Sequence, residues 1–531
     1  MNQAPAQVFA AHLLANLVGG LELGHIYLAP GSRSQALAVA AEQLASAGKV
    51  KLHVRIDERS MGFAALGTAL ATQTPVAVIT TSGTAVANLH PAVLEAHHAG
   101  VPLLLLTADR PEELRGVGAN QTTDQVGLFG TAVPVVFDVE APGTEADEPK
   151  RARDLAAAVV SAFNEQAGPV QLNLAFREPL SSASPDAAAI MPELAPPGTD
   201  LPDVEWAVLD ASVPTVVVAG AGAGEEAVEL AESFGWPLFA EPSSGARFGL
   251  NAIVGYRRLL QNKIDIAEQI KRVIVFGKPT LSRQVNALFF NEEIETVVVN
   301  SKTHGKFDPA HRAAKFVDEI SVDDEVDFEW LAKWREADAE NAFSFGDKLD
   351  RATLVHEVYA ATESKDCIVL GASRLIREAD SIAPAKAVAV FANRGLAGID
   401  GTIATATGVA IANHDFFIDH GVDSIGITRA LMGDITALHD VGSLAVDSHD
   451  GELNLQVIVG NDGGGTIFET LEIANTIDEQ AFDRLFRTRQ NIDFWHLAEA
   501  YGWQYIRVER LEQLAPALQT RGRVLIEALL Y

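Results

Sequence analysis

The chain has 531 residues and a formal net charge of −31, with 48% hydrophobic and 21% charged side chains and a single cysteine. That length suggests three or four domains, each burying its own core, and the composition excludes a disordered or fibrous chain. The acidic balance argues against nucleic acid or an anionic membrane surface as partner, because both demand basic patches; a small anionic substrate would need a local basic pocket set against the overall field.

The opening segment, MNQAPAQVFAAHLLANLVGG, has no basic region, and His12 and Asn16 interrupt its apolar face. It is therefore expected to be an amphipathic first helix and not a signal peptide. Further along, short β-rich runs alternate with helical segments, the signature of parallel sheets covered on both faces. They fall at 75–80, 101–107, 132–138 and 169–176, then at 213–220, 236–241, 272–277 and 295–301, and finally at 366–371, 387–393, 455–461 and 523–529. The expected fold is α/β, with three doubly wound parallel-sheet domains at 1–182, 183–345 (linker and middle domain) and 346–531. Residues 181–204, rich in Ser, Pro and Ala, are expected to be an extended linker. Cys367 lies in an apolar run in the third block, where it reads as a buried strand residue; with no other cysteine, disulfides and cysteine-rich metal sites are excluded. No stretch approaches the roughly 18 apolar residues of a membrane span, so no membrane insertion is expected and the expected location is the cytoplasm.

The third block carries the most informative chemistry. Gly433-Asp434 opens a helix, and 27 residues after Asp434 the strand LQVIVG ends in Asn461-Asp462-Gly463-Gly464-Gly465. In a doubly wound sheet both positions fall at the carboxyl ends of strands, where ligands bind. A carboxylate, an amide oxygen and a carbonyl freed by the glycine run (Asp434, Asn461, Gly463) form a hard-oxygen set for Mg²⁺ with room for two phosphate oxygens. Each piece alone is an ordinary turn; the pair at this spacing resembles the cofactor motif of thiamine-diphosphate enzymes. It departs from their common Gly-Asp-Gly and Asn-Asn pattern at Ile435 and Asp462, leaving the three metal ligands untouched. In the first block Glu58 follows a short strand and precedes a small-residue helix, a place where a carboxylate also serves the helix dipole alone.

Five segments in the first block extend the resemblance. They are Pro30-Gly31-Ser32-Arg33-Ser34, Asp57-Glu58-Arg59-Ser60, Thr81-Ser82-Gly83-Thr84, Thr107-Ala108-Asp109-Arg110-Pro111 and Gly118-Ala119-Asn120-Gln121-Thr122. Asn393-Arg394-Gly395 and Gly398-Ile399-Asp400-Gly401 continue it in the third block. Together they resemble the 2-succinyl-5-enolpyruvyl-6-hydroxy-3-cyclohexene-1-carboxylate synthase family of menaquinone biosynthesis. The resemblance implies a pyrimidine-binding first domain and a diphosphate-binding third domain. It also implies condensation of 2-oxoglutarate with isochorismate, with thiamine diphosphate and Mg²⁺, or Mn²⁺, as cofactors. It assigns Glu58 to the aminopyrimidine as the catalytic residue and places Ser82, Gly83, Gly433, Ile467 and Phe468 at the cofactor, with Ile399 as the prop for its bent form. Arg377, Arg394 and Ser373 go to the succinyl end of 2-oxoglutarate, with Arg374 as a rival for Arg377. Ser32, Arg33, Arg110, Asn120 and Gln121 go to isochorismate. Arginine suits both dicarboxylates because its planar fork binds carboxylate bidentately. The family resemblance also implies a homodimer or homotetramer with the active site at the subunit interface, and a single cleft that gathers the four arginines and the metal.

Two further features point elsewhere. Gly220-Ala221-Gly222-Ala223-Gly224 resembles a dinucleotide fingerprint broken at Glu225, and is read as a strand-to-helix turn. His90, His97 and His98 near Glu95 lack the spacing of a zinc site and are expected to be surface helix histidines. Two other readings stay open at this point: a different thiamine-diphosphate carboligase or decarboxylase, against which the arginine-rich loops speak, and a catalytically silent α/β scaffold.

Overall fold

The computed structural model describes residues 4–143, 147–194, 204–262, 264–300, 307–323, 328–422 and 424–530. The chain forms two compact units, the first comprising residues 1–200, 403–416 and 442–453, the second the remainder.

The first unit is built on β1 (His25–Leu28), β2 (Lys51–Val54), β3 (Val76–Thr80), β4 (Leu103–Asp109), β5 (Val135–Val139) and β6 (Val170–Ala175). All pair in parallel, in the order β2-β1-β3-β4-β6-β5. The run VPLLLLT is apolar without alternation because β4 is buried along its whole length, as a strand covered on both faces must be. The helix Pro5–Leu21 departs from the amphipathic expectation, since it is buried on nearly every side. The reason is the stretch expected to be an extended linker. Its first part packs across this helix: the Ala4 N–H donates to the Ser182 hydroxyl at 2.9 Å, the Glu193 N–H donates to Asn16 Oδ1 at 3.1 Å, and Pro192 lies against Gly19. The polar residue that interrupted the helical pattern is thus a docking point. Residues 195–203 of that stretch lie outside the described residues.

The helix Glu58–Thr72 starts at Asp57, whose carboxylate accepts from the Arg59 and Ser60 N–H groups. It crosses residues 403–416 of the helix Thr402–Asp419 backbone to backbone: a Cβ at Gly408 would lie 1.9 Å from the Ala64 carbonyl oxygen, and one at Gly67 2.0 Å from that of Thr405. The small-residue run GFAALGTALA is the sequence signature of that approach.

The second unit contains β7 (Trp206–Leu209), β8 (Thr215–Ala219), β9 (Leu238–Ala240), β10 (Arg272–Phe276), β11 (Glu295–Val299), β12 (Ala313–Val317) and β13 (Glu319–Val322). It continues with β14 (Cys367–Leu370), β15 (Ala389–Phe391), β16 (Thr428–Gly433), β17 (Leu455–Asn461), β18 (Gln504–Val508) and β19 (Arg523–Leu529). These form a five-stranded sheet β12-β11-β10-β8-β9, a two-stranded pair β13-β7, and a six-stranded sheet β15-β14-β16-β17-β19-β18. The last repeats the strand order of the first unit, so the α/β expectation holds with parallel pairing throughout. Cys367 is buried in β14, and desolvation pushes its thiol up to about 12, which keeps it an inert core residue. Among the described residues no helix is long and apolar enough to cross a membrane.

A buried polar cluster lies within the second unit. The Arg247 guanidinium donates to the carbonyls of Ala240 at 2.6 Å, Ala383 at 2.9 Å and Val254 at 3.2 Å. The Tyr256 hydroxyl donates to Asp380, and the Leu281 N–H donates to Glu241 at 2.6 Å. One oxygen of each carboxyl, Glu241 Oε2 and Asp380 Oδ2, has no hydrogen-bond partner. Desolvation pushes both carboxyls up, and the charge of Asp380 adds to the effect on Glu241. A carboxyl raised in the fold binds more protons there than in the unfolded chain, so its contribution to stability falls as pH rises out of the ordinary carboxylate range. Glu241→Gln keeps an acceptor for Leu281 and removes the charge. Its melting temperature relative to the parent should therefore climb by a few °C from pH 5 to pH 8.5, read by thermal unfolding at both pH values; a constant difference would remove Glu241 as a buried ionisable load.

Candidate active site

In the second unit β16 and β17 pair with Gly433 opposite Gly460, so Asp434, just past β16, and Asn461, the last residue of β17, sit side by side at the carboxyl ends of adjacent strands. Asp434 is buried, and its carboxylate accepts from the Ile435 N–H at 2.8 Å. Desolvation pushes this carboxyl up to about 6; the Asp462 charge adds to the rise and the N–H groups of Ile435 and Gly464 oppose it. Asn461 donates through Nδ2 to Glu527 Oε1 at 2.6 Å, which turns its amide oxygen toward the glycine turn, where it accepts from the Gly463 N–H at 3.2 Å. The Tyr505 hydroxyl holds the other Glu527 oxygen at 2.5 Å. Gly463 has φ of 79° and Gly464 of 129°, backbone that side-chain-bearing residues rarely adopt.

Asp462, the departure from the common motif, turns away to Arg351, which donates from Nε at 2.8 Å and Nη2 at 2.6 Å. Ser373 caps the helix Arg374–Ile382 and faces Gly433, whose added Cβ would meet it at 3.4 Å. Ile467 and Phe468 are half-buried in the short helix after the glycines, and Ile399 is half-buried in the loop before the helix Thr402–Asp419.

The structure brings Arg377 and Arg394 together in this unit. Arg377 has its pKa lowered by desolvation first, then by the charges of Arg394, Arg257 and Arg283, of which Arg257 has Asp380 at 3.9 Å and Arg283 has Glu472 at 3.6 Å. Arg394 is buried; its Nη2 donates to the Thr280 hydroxyl at 2.8 Å and its Nε has no partner. The rival Arg374 is engaged by Glu469 at 3.7 Å. Sequence reading missed Thr280, Arg257, Arg283 and Glu527. Their only local signal is a glutamate inside the apolar run RVLIEAL, because the other three reach the site from the middle third of the chain.

In the first unit Arg33 and Arg110 form the second pair. Arg33 is buried, donates to the Phe176 carbonyl at 2.8 Å and has Glu178 at 3.5 Å. Its pKa is lowered by desolvation and then by Arg110. Arg110 donates to the Ser82 hydroxyl at 3.1 Å and the Asn120 carbonyl at 3.0 Å. Ser82 donates to the Gln121 carbonyl at 2.9 Å, Gln121 Nε2 returns a bond to the Ser82 carbonyl at 2.9 Å, and the Gly83 N–H donates to Gln125 at 2.9 Å. The predicted set Ser82, Gly83, Arg110, Asn120 and Gln121 is thus one interlocked loop pair. Ser32 is exposed beside Arg33, and Glu58 is half-buried at the first turn of its helix.

The glycine run 220–224 has a packing role. A Cβ on Gly220 would lie 2.0 Å from the Pro279 nitrogen, and Ala221 bridges Lys278, so the turn is pressed against the loop that carries Thr280. His97 and His98 are half-buried in the last turn of the helix His90–Ala99.

The thiamine pyrophosphate enzyme N-terminal TPP binding domain matches residues 9–128. Relatives named 2-succinyl-5-enolpyruvyl-6-hydroxy-3-cyclohexene-1-carboxylate synthase align over nearly the whole chain. That of Leifsonia xyli subsp. xyli is 45% identical, covering 97% of this chain and 94% of its own length. That of Clavibacter michiganensis subsp. michiganensis is 45% identical over 93% and 91%. That of Renibacterium salmoninarum is 41% identical over 96% and 91%. At that identity over nearly the whole chain, this chain belongs to the 2-succinyl-5-enolpyruvyl-6-hydroxy-3-cyclohexene-1-carboxylate synthase family of thiamine-diphosphate enzymes.

Proposed function

We propose that the chain is a transferase of menaquinone biosynthesis. It joins the succinyl fragment left when 2-oxoglutarate loses CO2 to the ring alkene of isochorismate by 1,4-addition, giving 2-succinyl-5-enolpyruvyl-6-hydroxy-3-cyclohexene-1-carboxylate. The observation that carries the reading is the arginine chemistry: Arg33 with Arg110 and Arg377 with Arg394 pair up, and the guanidinium hydrogen bonds of Arg33, Arg110 and Arg394 go to carbonyls and hydroxyls, with Glu178 3.5 Å from Arg33. Guanidinium groups held by neutral partners keep charge to offer a dicarboxylate.

The donor set fits a metal diphosphate. A buried carboxyl raised by its surroundings, an oriented amide oxygen and a glycine-freed carbonyl are what a hard divalent cation relieves. Asp434, Asn461 and the Gly463 carbonyl would hold Mg²⁺, or Mn²⁺, with Gly433 at the phosphates and Ile467 and Phe468 covering the apolar side. Thiamine diphosphate, when bound, supplies an acidic ring carbon that adds to a keto acid and stores the electron pair left by CO2. Glu58 would hold a proton at the aminopyrimidine N1′, Ser82 and Gly83 would bind that end of the cofactor, and Ile399 would prop it. Arg377, Arg394 and Ser373 grip the distal carboxylate of 2-oxoglutarate. Arg33, Arg110, Ser32, Asn120 and Gln121 orient isochorismate. The resemblance further supports a cytoplasmic homodimer or homotetramer of three-domain chains, with Glu58 and Asp434 serving one cofactor from different subunits.

Incubation with 2-oxoglutarate, isochorismate, thiamine diphosphate and Mg²⁺ should yield the condensation product by mass spectrometry. CO2 without condensation would point to another decarboxylase of the same class, and no metal-dependent cofactor binding to a silent scaffold. In the same assay Glu58→Gln should cut turnover by about 100-fold or more while cofactor affinity, read by calorimetry, stays within about tenfold of the parent. Glu527 never touches the metal in this reading but fixes the Asn461 amide. Glu527→Ala should therefore weaken Mg²⁺-dependent thiamine diphosphate binding by about 10–100-fold, and an unchanged titration would release Glu527 from that positioning role.

A further inference from the structure

A cluster of buried histidines and carboxylates in the first unit is used by none of the chemistry above. His25 on β1 and His53 on β2 are both buried, and the strands pair so that the two rings stack at 18° with His25 Nδ1 and His53 Nε2 3.1 Å apart. Asp415, near the end of the helix Thr402–Asp419, brings Oδ2 to 3.9 Å from His25 Nδ1. That oxygen is buried and accepts no hydrogen bond. One ligand atom from each of the three residues lies within 4.8 Å of the other two, the only such group of three or more among the described residues.

The surroundings match those of a metal-bound histidine. His53 Nδ1 bonds Asp450 Oδ1 at 2.8 Å, and Arg55 Nη2 holds the other Asp450 oxygen at 2.5 Å. A carboxylate on one ring nitrogen fixes the tautomer and leaves the other nitrogen, here the one facing His25, with its lone pair outward. Two lone pairs cannot face each other at 3.1 Å, so without a cation one of the two nitrogens must carry a proton into that gap. A metal replaces that proton. Donor atoms around tetrahedral zinc stand about 3.3 Å apart, so the two nitrogens are already near the required spacing, while Asp415 Oδ2 stands 3.9 Å from His25 Nδ1 and within 4.8 Å of both rings and must move inward to ligate. Lys51 occupies Asp415 Oδ1 at 3.2 Å and is partly exposed, so its charge can turn to water.

We propose that His25, His53 and Asp415 form a site for a borderline divalent transition metal, zinc in the first instance, with a water in the fourth position. Two imidazoles and one carboxylate favour such an ion over Mg²⁺ or Ca²⁺. Its effect is to pin residues 403–416 to the β1–β2 edge of the sheet, a few residues before Asp57 caps the helix that begins with Glu58. The site stands independently of the substrate reading.

The test is a Co²⁺ titration of the full-length chain in excess Mg²⁺, which saturates the all-oxygen site. One Co²⁺ per chain with the intense visible bands of four-coordinate geometry, displaced by Zn²⁺, is expected. His25→Asn and Asp415→Asn should each weaken binding by about 100-fold or more. Asp415→Asn also covers the case in which the histidine variant does not fold, since its side chain lies at the rim. Absence of four-coordinate bands in the parent, or equal affinity in a folded variant, would overturn the site and leave a purely hydrogen-bonded cluster.

Discussion

The reversal of strand order in a parallel sheet governs where chemistry can occur in this chain. Helices that follow the first and third strands of such a sheet leave on opposite faces, and the gap between them opens at the carboxyl ends. All three large sheets share this start: β1 beside β3, β8 beside β10, and β14 beside β16. At each gap a glycine lets two loops meet without a side chain between them. Gly31 lies against Thr81, Gly220 against Pro279, and Gly371 against Met432 and Thr402. The loops bearing Arg33 and Ser82, Thr280, and Ser373 and Asp434 are consequences of that one topological constraint repeated three times.

The second constraint is electrostatic. With a net charge of −31, most arginines have a carboxylate within reach, and many are tied down by it: Arg429 to Asp366 at 2.7 Å, Arg351 to Asp462 at 2.6 Å, Arg115 to Asp109 at 3.0 Å. Those pairs cancel and serve the fold. Arg110 and Arg394 instead bond hydroxyls and a carbonyl, and Arg33 bonds a carbonyl with Glu178 beyond it at 3.5 Å. Choice of a neutral hydrogen-bond partner separates a cation kept for a ligand from one spent on structure.

Periodicity and turn chemistry made the fold class and most strands legible, since an unbroken apolar run between turn residues has few other solutions in a chain of this length. The arginine, Gly-Asp and Asn-Asp-Gly loops were legible as motifs for the same reason: each is short and local. Contacts that cross between elements were not. Glu527 meets Asn461 because β17 and β19 are neighbours in register, and nothing near either residue announces that pairing. His25 and His53 lie 28 residues apart, and their meeting depends on β1 and β2 pairing in one register out of several. The first helix was misjudged for a related reason, as the segment that covers its polar side comes from residues 180–194.

Burial of charge follows the same map. Glu241, Arg33 and Arg394 are buried and each leaves a polar atom unpaired, Asp434 is a desolvated carboxyl, and all four lie at or beside the loops at the carboxyl ends of strands. The strands β3, β8 and β10 are buried throughout and dominated by Val, Ile and Ala. A group whose charged form is disfavoured by burial is one that a counter-charge can stabilise strongly on arrival. The apolar sheets supply the stability that lets the loops carry that cost, so affinity for a metal, a diphosphate or a dicarboxylate is stored in advance as electrostatic deficit at the strand ends.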